Sequence, residues 1–212
     1  MPLHVKALEE HNTHEFDGFY AIYSTAFPLS EQKSRDALLQ MLHASFYTIY
    51  LAHNDEKIVG FCIMYHPDSE DFFLLEYMAI DETQRGIGLG STLLKSSINQ
   101  LFKTYGIRAL LIEIESLEES SSDKEIREKR EQFYRHLGAL RIDAFDYILA
   151  LQSVEEPPEM KLLLFHPNVR EIPKTTLQRW LKKIYVDVYG CNQNDPRIAQ
   201  MLEGVPSILN LI

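Results

Sequence analysis

Cysteine is scarce, with Cys62 and Cys191 the only two in 212 residues. That is too few for a disulfide framework, so the fold must rest on a packed core, and a reducing compartment is permitted. Long apolar runs are missing too: no segment approaches the roughly 18 uncharged apolar residues of a membrane span. The first residues show neither the basic start nor the apolar core of a secretory leader. A soluble, cytoplasmic protein without a membrane partner is the expectation. Basic residues are outnumbered, 21 against 31 acidic, for a formal net charge of -10. That balance argues against a broad nucleic-acid surface. The eight histidines form neither an HExxH pattern nor part of a Cys/His quartet, so no metal site is expected. Neither cysteine has a motif-placed histidine to make it a nucleophile. What is present is a 45% hydrophobic chain long enough for one domain with a substantial core, or a domain with an appendage.

Periodicity divides the chain into alternating helices and strands. Residues 15–27 and 30–43 read as helices, the second with Ser30 as N-cap, and Phe16, Phe19, Tyr20, Tyr23 and Phe27 make an aromatic stripe along the first. Strands are expected over 46–52 and 57–65, joined through His53-Asn54-Asp55-Glu56, and over 71–81. Leu93, Leu94, Ile98, Leu101 and Phe102 recur at helical spacing from about Thr92 onward. A strand over 108–116 and an acidic, serine-rich loop over 118–123 lead into a helix ending near Leu137, with Gly138 as its stop. Two more strands are expected over 140–151 and 160–165, separated by Glu155-Glu156-Pro157-Pro158. A last helix over 175–189 shows Leu177, Leu181, Ile184 and Val188 on one face.

The segment Arg85-Gly86-Ile87-Gly88-Leu89-Gly90-Ser91 stands between a strand and a helix, where a polyanion would bind. Glycines at alternate positions let backbone amides converge on one anion, and the following helix adds its positive end. The spacing G-x-G-x-G fits a dinucleotide fingerprint poorly, and the lysine of a P-loop is absent.

Arg85-x-x-Gly88-x-Gly90 resembles the pyrophosphate loop of the GNAT superfamily of acetyl-CoA-dependent N-acetyltransferases. Phe133-Tyr134-Arg135-His136-Leu137-Gly138-Ala139 resembles that superfamily's second signature, in the right order and with a strand between the two. The resemblance covers about residues 3–166. It implies an α/β fold with a mixed, mostly antiparallel sheet flanked by helices, and an acetyltransferase domain over 1–166. Residues 167–212 would form a C-terminal helical extension packed on the core, a cap in preference to the surface of a homodimer. It further implies acetyl-CoA as acyl donor, held by Arg85 and the amides of Gly86, Ile87, Gly88, Leu89, Gly90 and Ser91. Backbone groups of Met78, Ala79 and Ile80 would pair with pantetheine and the thioester carbonyl, and Tyr134 would protonate the departing sulfur. The sequence departs from the second signature at Arg127 and Arg130, where the family often carries Asn and Ala, and at Ala139, where it carries Phe. The basic group Arg127, Lys129 and Arg130 could meet a phosphate or a carboxylate, or form a solvated helix face.

An alkylammonium with a pKa near ~10.4 must lose a proton before it can attack a thioester, which calls for a carboxylate in the cleft. Glu76, which shares strand parity with Met78 and Ile80, and Glu113, set with Glu115 in the apolar run 110–115, are equal candidates. Charged residues at strand centres are costly unless paired or facing a cleft, and Arg108 or Arg130 could partner them. The expected activity is direct acetyl transfer to a primary amine, carried by a small molecule or a peptide, in a ternary complex. A silent coenzyme A-binding regulatory module and a longer-acyl transferase are the alternatives.

Overall fold

The computed structural model describes residues 3–106, 108–117, 123–150 and 159–212. Two compact units make up the chain, Met1–Arg108 and Ala109–Ile212. The boundary at 166/167 that the sequence suggests falls inside the second.

The first unit is an antiparallel sheet of β1 (His4–Ala7), β2 (Tyr47–Asn54), β3 (Lys57–Tyr65) and β4 (Phe72–Ile80), paired in that order. Alternation decides which helix each face receives. Ile49, Leu51, Phe61 and Ile63 pack with Phe16, Phe19, Ile22 and Tyr23 of α1 (Thr13–Ala26) and with Leu38, Met41 and Leu42 of α2 (Arg35–His43). Cys62, of opposite parity, meets Ser97 of α3 (Leu89–Tyr105). With both faces covered, β3 reads as an unbroken apolar run.

Three expectations change here. The second helix starts at Arg35, capped by Ser34, whose hydroxyl accepts from the Ala37 amide at 3.1 Å. Ser30 lies instead in a 3-10 turn, Leu29–Glu31. The extended backbone between turn and helix is held open by bonds from α1 and β4. β2 runs on to Asn54 through a bulge at Ala52/His53, leaving Asp55-Glu56 as the turn. Helix α3 begins at Leu89, so Gly90 and Ser91 are already helical.

The second unit contains β5 (Ala109–Glu115), α4 (Lys124–His136), β6 (Leu140–Arg141) and β7 (Met160–Phe165), with β5 and β6 antiparallel to β7. Its C-terminal part comprises β8 (Glu171–Pro173), α5 (Lys174–Asp187), α6 (Pro196–Met201) and β9 (Ile208–Asn210), with β8 and β9 forming a ribbon. All four residues expected on the inner face of α5 are buried. Ile142 bridges Leu211, and the Tyr185 hydroxyl donates to the Ile148 carbonyl, so the C-terminal segment packs within this unit.

The long strand expected from Leu140 is a two-residue β6. The chain turns at Asp143-Ala144, with Ala144 at φ 53, and only isolated bridges continue. Ile142, Phe145, Tyr147 and Ala150 are buried, so the apolar pattern there records burial of an irregular segment. Leu151, the Glu155–Pro158 separator and residues 118–122 of the acidic loop lie outside the described residues. Both units are antiparallel sheets flanked by helices, the mixed α/β class expected.

Candidate active site

β4 ends in a cradle-shaped, glycine-rich turn. Asp81 accepts from the Thr83 amide at 2.9 Å and the Thr83 hydroxyl at 2.6 Å, and these bonds hold its carboxyl below the ordinary aspartate range. They start a 3-10 turn over Glu82–Gln84. Gly86 and Gly88 follow at φ 86 and φ 83, with nothing near the place a Cβ would occupy. Glycine is therefore required by backbone conformation, which an L residue adopts at a cost, and not by crowding. Gly88 is the N-cap of α3, so the amides of Leu89, Gly90 and Ser91 are the open first turn of a 17-residue helix. Among the described residues no backbone carbonyl accepts from the amides of Gly86 to Ser91. Arg85 is exposed and donates from Nε to the Ile80 carbonyl at 3.1 Å, which folds its guanidinium back against the end of β4. Ile87 stands 70% exposed at the tip. The structure thus brings Arg85 and the six residues after it into one donor-rich turn, with two left-handed glycines where the sequence pattern offered three.

Upstream, Met78, Ala79 and Ile80 pair with Cys62, Phe61 and Gly60 of β3. Between Tyr77, opposite Ile63, and Leu75, opposite Met64, Glu76 is the extra residue of a β-bulge. A bulge breaks alternation and re-aims side chains, so parity counted back from Met78 and Ile80 does not carry to Glu76. Glu76 and Tyr77, though adjacent, both reach the segment linking α1 and α2. Glu76 Oε1 lies 3.0 Å from Lys33 Nζ, and the Tyr77 hydroxyl donates to the Glu31 carbonyl at 2.8 Å. The Glu76 side chain is only 6% exposed, and its Oε2 is buried without a hydrogen-bond partner. Burial pushes its carboxyl above the usual range, against the opposing charge of Lys33 and donation by Lys33 and Tyr47. Sequence reasoning missed Lys33, because the helix expected over 30–43 took it as one more polar helix position, whereas α2 starts at Arg35 and Lys33 lies in the connection before it.

The other candidates lie in the second unit. Glu113 sits on β5 opposite Leu162. Its Oε1 accepts from the Tyr147 hydroxyl and its Oε2 from the Tyr189 hydroxyl at 2.7 Å. Burial first, and then the Glu113 charge, push the Tyr147 phenol well above its ordinary value, so it stays a donor. Tyr134 occupies the last turn of α4, its ring 5.1 Å from that of Phe133. Gly138, at φ 97, ends that helix as expected. The basic group on α4 already has carboxylates. Arg130 pairs with Glu115, Arg127 lies 3.2 Å from Asp123 and 3.9 Å from Glu115, and Lys129 lies 2.6 Å from Glu125. Arg108, the other partner considered, instead covers the rings of Phe73 and Tyr105.

Comparison with known proteins bears on this arrangement. Residues 16–138 match the model of the acetyltransferase (GNAT) family, a span that includes the cradle, Glu76, Glu113 and Tyr134. No curated protein sequence matches. Among solved structures, a protein of Bacteroides thetaiotaomicron assigned to the GNAT family superposes with a TM-score of 0.69 at 18% identity, over 89% of this chain and 99% of its own. The ribosomal-protein-S18-alanine N-acetyltransferase of Escherichia coli gives 0.54 at 18%, over 79% and 99%. An aminoglycoside acetyltransferase from an uncultured soil metagenomic sample gives 0.53 at 15%, over 73% and 97%. At such identities these structures speak for the fold alone. The match of the family model to residues 16–138, more than half of the sequence, makes this chain a member of the GNAT acetyltransferase family.

Proposed function

We propose that this protein is an N-acetyltransferase that moves acetyl from acetyl-CoA to a primary amine by direct attack in a ternary complex. The observation that carries the reading is the row of backbone amides from Gly86 to Ser91, open to an anion at the start of a long helix. A diphosphate there meets several N–H donors and the helix's positive end at once. Arg85 adds a local positive charge to a chain of net charge -10. Backbone groups of Met78, Ala79 and Ile80 align pantetheine and the thioester. A backbone donor aimed at the developing oxyanion contributes about 3 kcal/mol where water is excluded.

Glu76 takes the proton from the acceptor's ammonium. Its burial raises its affinity for that proton, and its unpartnered oxygen has a place to receive it. The freed amine nitrogen bonds to the thioester carbon, the carbon–sulfur bond breaks, and Tyr134 donates its proton to the departing thiolate; the second proton, shed by the nitrogen as it becomes an amide, restores the Tyr134 hydroxyl, and the one held by Glu76 passes to solvent. Glu113, with a tyrosine hydroxyl on each oxygen, is better suited to hold its surroundings than to exchange protons. In this reading residues 1–166 form the acetyltransferase domain, and 167–212 an extension that helps fix Glu113 through Tyr189.

Continuous assay of thiol release from acetyl-CoA against a panel of primary amines tests the proposal. Amine-dependent release is expected. Tight coenzyme A binding with no release for any amine would point to a regulatory module, and faster turnover with a bulkier thioester to a longer-acyl transferase.

A further inference from the structure

Three consecutive residues of the connection between α1 and α2 are each tied down. The Glu31 carbonyl accepts from Tyr77. Gln32 Nε2 donates to the Phe27 carbonyl at 2.7 Å and the Ser24 carbonyl at 3.0 Å. The Lys33 amide donates to the Tyr23 hydroxyl at 2.7 Å. These bonds present one side chain, Lys33, to the bulge of β4. Its ammonium rests on Glu76 Oε1 beside the packed rings of Tyr23 and Tyr77, whose centroids are 5.2 Å apart. An ion pair this poorly exposed is a weak device for stability, since desolvating both charges offsets their attraction. Here Tyr47 also donates to the carboxyl, yet its Oε2 stays buried without a hydrogen-bond partner.

The arrangement has the form of a substrate complex made by the chain with itself. An unbranched four-carbon stem carries a primary ammonium to a buried carboxylate, and that carboxylate sits two residues before Met78, about 7 Å along the strand. We infer that Lys33 is an intramolecular stand-in for the acceptor, so that the acceptor is a lysine-like, unbranched primary alkylammonium that must displace Lys33 from Glu76. This inference rests on the acetyltransferase reading for its chemistry, though not for its binding site. The Lys33 side chain is 28% exposed, so it can swing to solvent while its backbone stays pinned. A tethered competitor acts at an effective concentration in the millimolar range and lowers the apparent affinity for any free amine accordingly.

Removing the tethered ammonium while keeping most of its stem tests this directly. In Lys33→Met, whose neutral stem is no longer held by Glu76 and can swing to solvent, n-butylammonium well above its dissociation constant should take the position and raise Tm by about 2–4 °C. Wild type, with the position occupied, should respond less, and Lys33→Met/Glu76→Gln not at all. In turnover with acetyl-CoA, Lys33→Met should lower KM for n-butylamine about tenfold relative to wild type. Putrescine and Nα-acetyl-lysine amide, run alongside, separate a free polyamine from a lysine side chain as the source of the ammonium. Equal thermal response in wild type and both variants, or an unchanged or higher KM in Lys33→Met, overturns the inference. Should Lys33→Met not fold, the same titration on Lys33→Gln decides. Because the thermal measurement needs no acetyl-CoA, rescue without turnover would leave the subsite standing and refute the transferase reading. Turnover with no rescue and no change in KM would do the reverse.

Discussion

Glu76 and Glu113 are both carboxylates set into strands among apolar neighbours, one in each unit, and the two units treat them in opposite ways. Glu113 receives a tyrosine hydroxyl on each oxygen, one from the segment after β6 and one from just beyond α5. Glu76 has a charged partner on a flexible stem, a bond from Tyr47, and a buried Oε2 without a hydrogen-bond partner. Hydrogen bonds to a charged acceptor stabilise by about 1.5–3 kcal/mol each, and a buried group left unmatched costs about as much. Glu113 is therefore a finished contact and Glu76 an unfinished one. A proton acceptor must change partners during turnover, and the unfinished site can do so at less cost.

The sharpest way to break this contrast is to neutralise each carboxylate. Glu76→Gln should lower kcat/KM by about 10²-fold or more, the loss expected of a general base. Glu113→Gln should cost about 1–3 kcal/mol in chemical denaturation, because two buried hydroxyls lose their charged acceptor, with a smaller kinetic effect. Steady-state kinetics and urea melts on the same two proteins compare them, and a larger kinetic loss at Glu113 would reverse the assignment.

Tyr134→Phe should slow turnover without abolishing it, by about 10- to 100-fold, since a thiolate of pKa ~8.5 leaves tolerably without help. The deficit should grow with a donor whose thiol is more basic.

The pH profile sharpens the comparison further. Burial raises the Glu76 pKa and the Lys33 charge opposes the rise. The acidic limb of kcat/KM should therefore lie above the ordinary glutamate value of about 4.3. It should move to still higher pH in Lys33→Met, where the opposing charge is gone, and a shift toward lower pH would contradict the account. For stability the sign is fixed as well. A carboxyl with a raised folded pKa favours the native state below that pKa, and this contribution fades as pH rises through it. Smallest of all should be Tyr189→Phe, which removes one of the two bonds to Glu113 for about 1.5 kcal/mol, the low end of the range for a charged acceptor.

Much of the scaffold could be read from residues alone, for physical reasons that also explain the failures. β7 falls on the residues expected, 160–165, because its apolar run is bounded by sharp changes in polarity. Helix α5 follows the period of Leu177, Leu181 and Ile184. The irregular stretch after Arg141 looked like a strand because burial and strand alternation leave the same mark over a few residues. β8, β9 and α6 are too short to show a period at all. The cradle was legible because left-handed backbone demands glycine, and Gly86 and Gly88 stand where that demand arises. The setting of Glu76 was not legible, since a bulge depends on the partner strand, and Lys33 is separated from Glu76 by 42 residues of chain that carry no sign of the contact.

The central claim is that the amides from Gly86 to Ser91 hold the diphosphate of coenzyme A, and titration calorimetry of coenzyme A into the purified protein tests it most directly. The account predicts saturable one-to-one binding, weakened about tenfold by Gly88→Ala, whose Cβ penalises the left-handed cradle by about 1–2 kcal/mol. No heat of binding, or an affinity indifferent to that substitution, would contradict it.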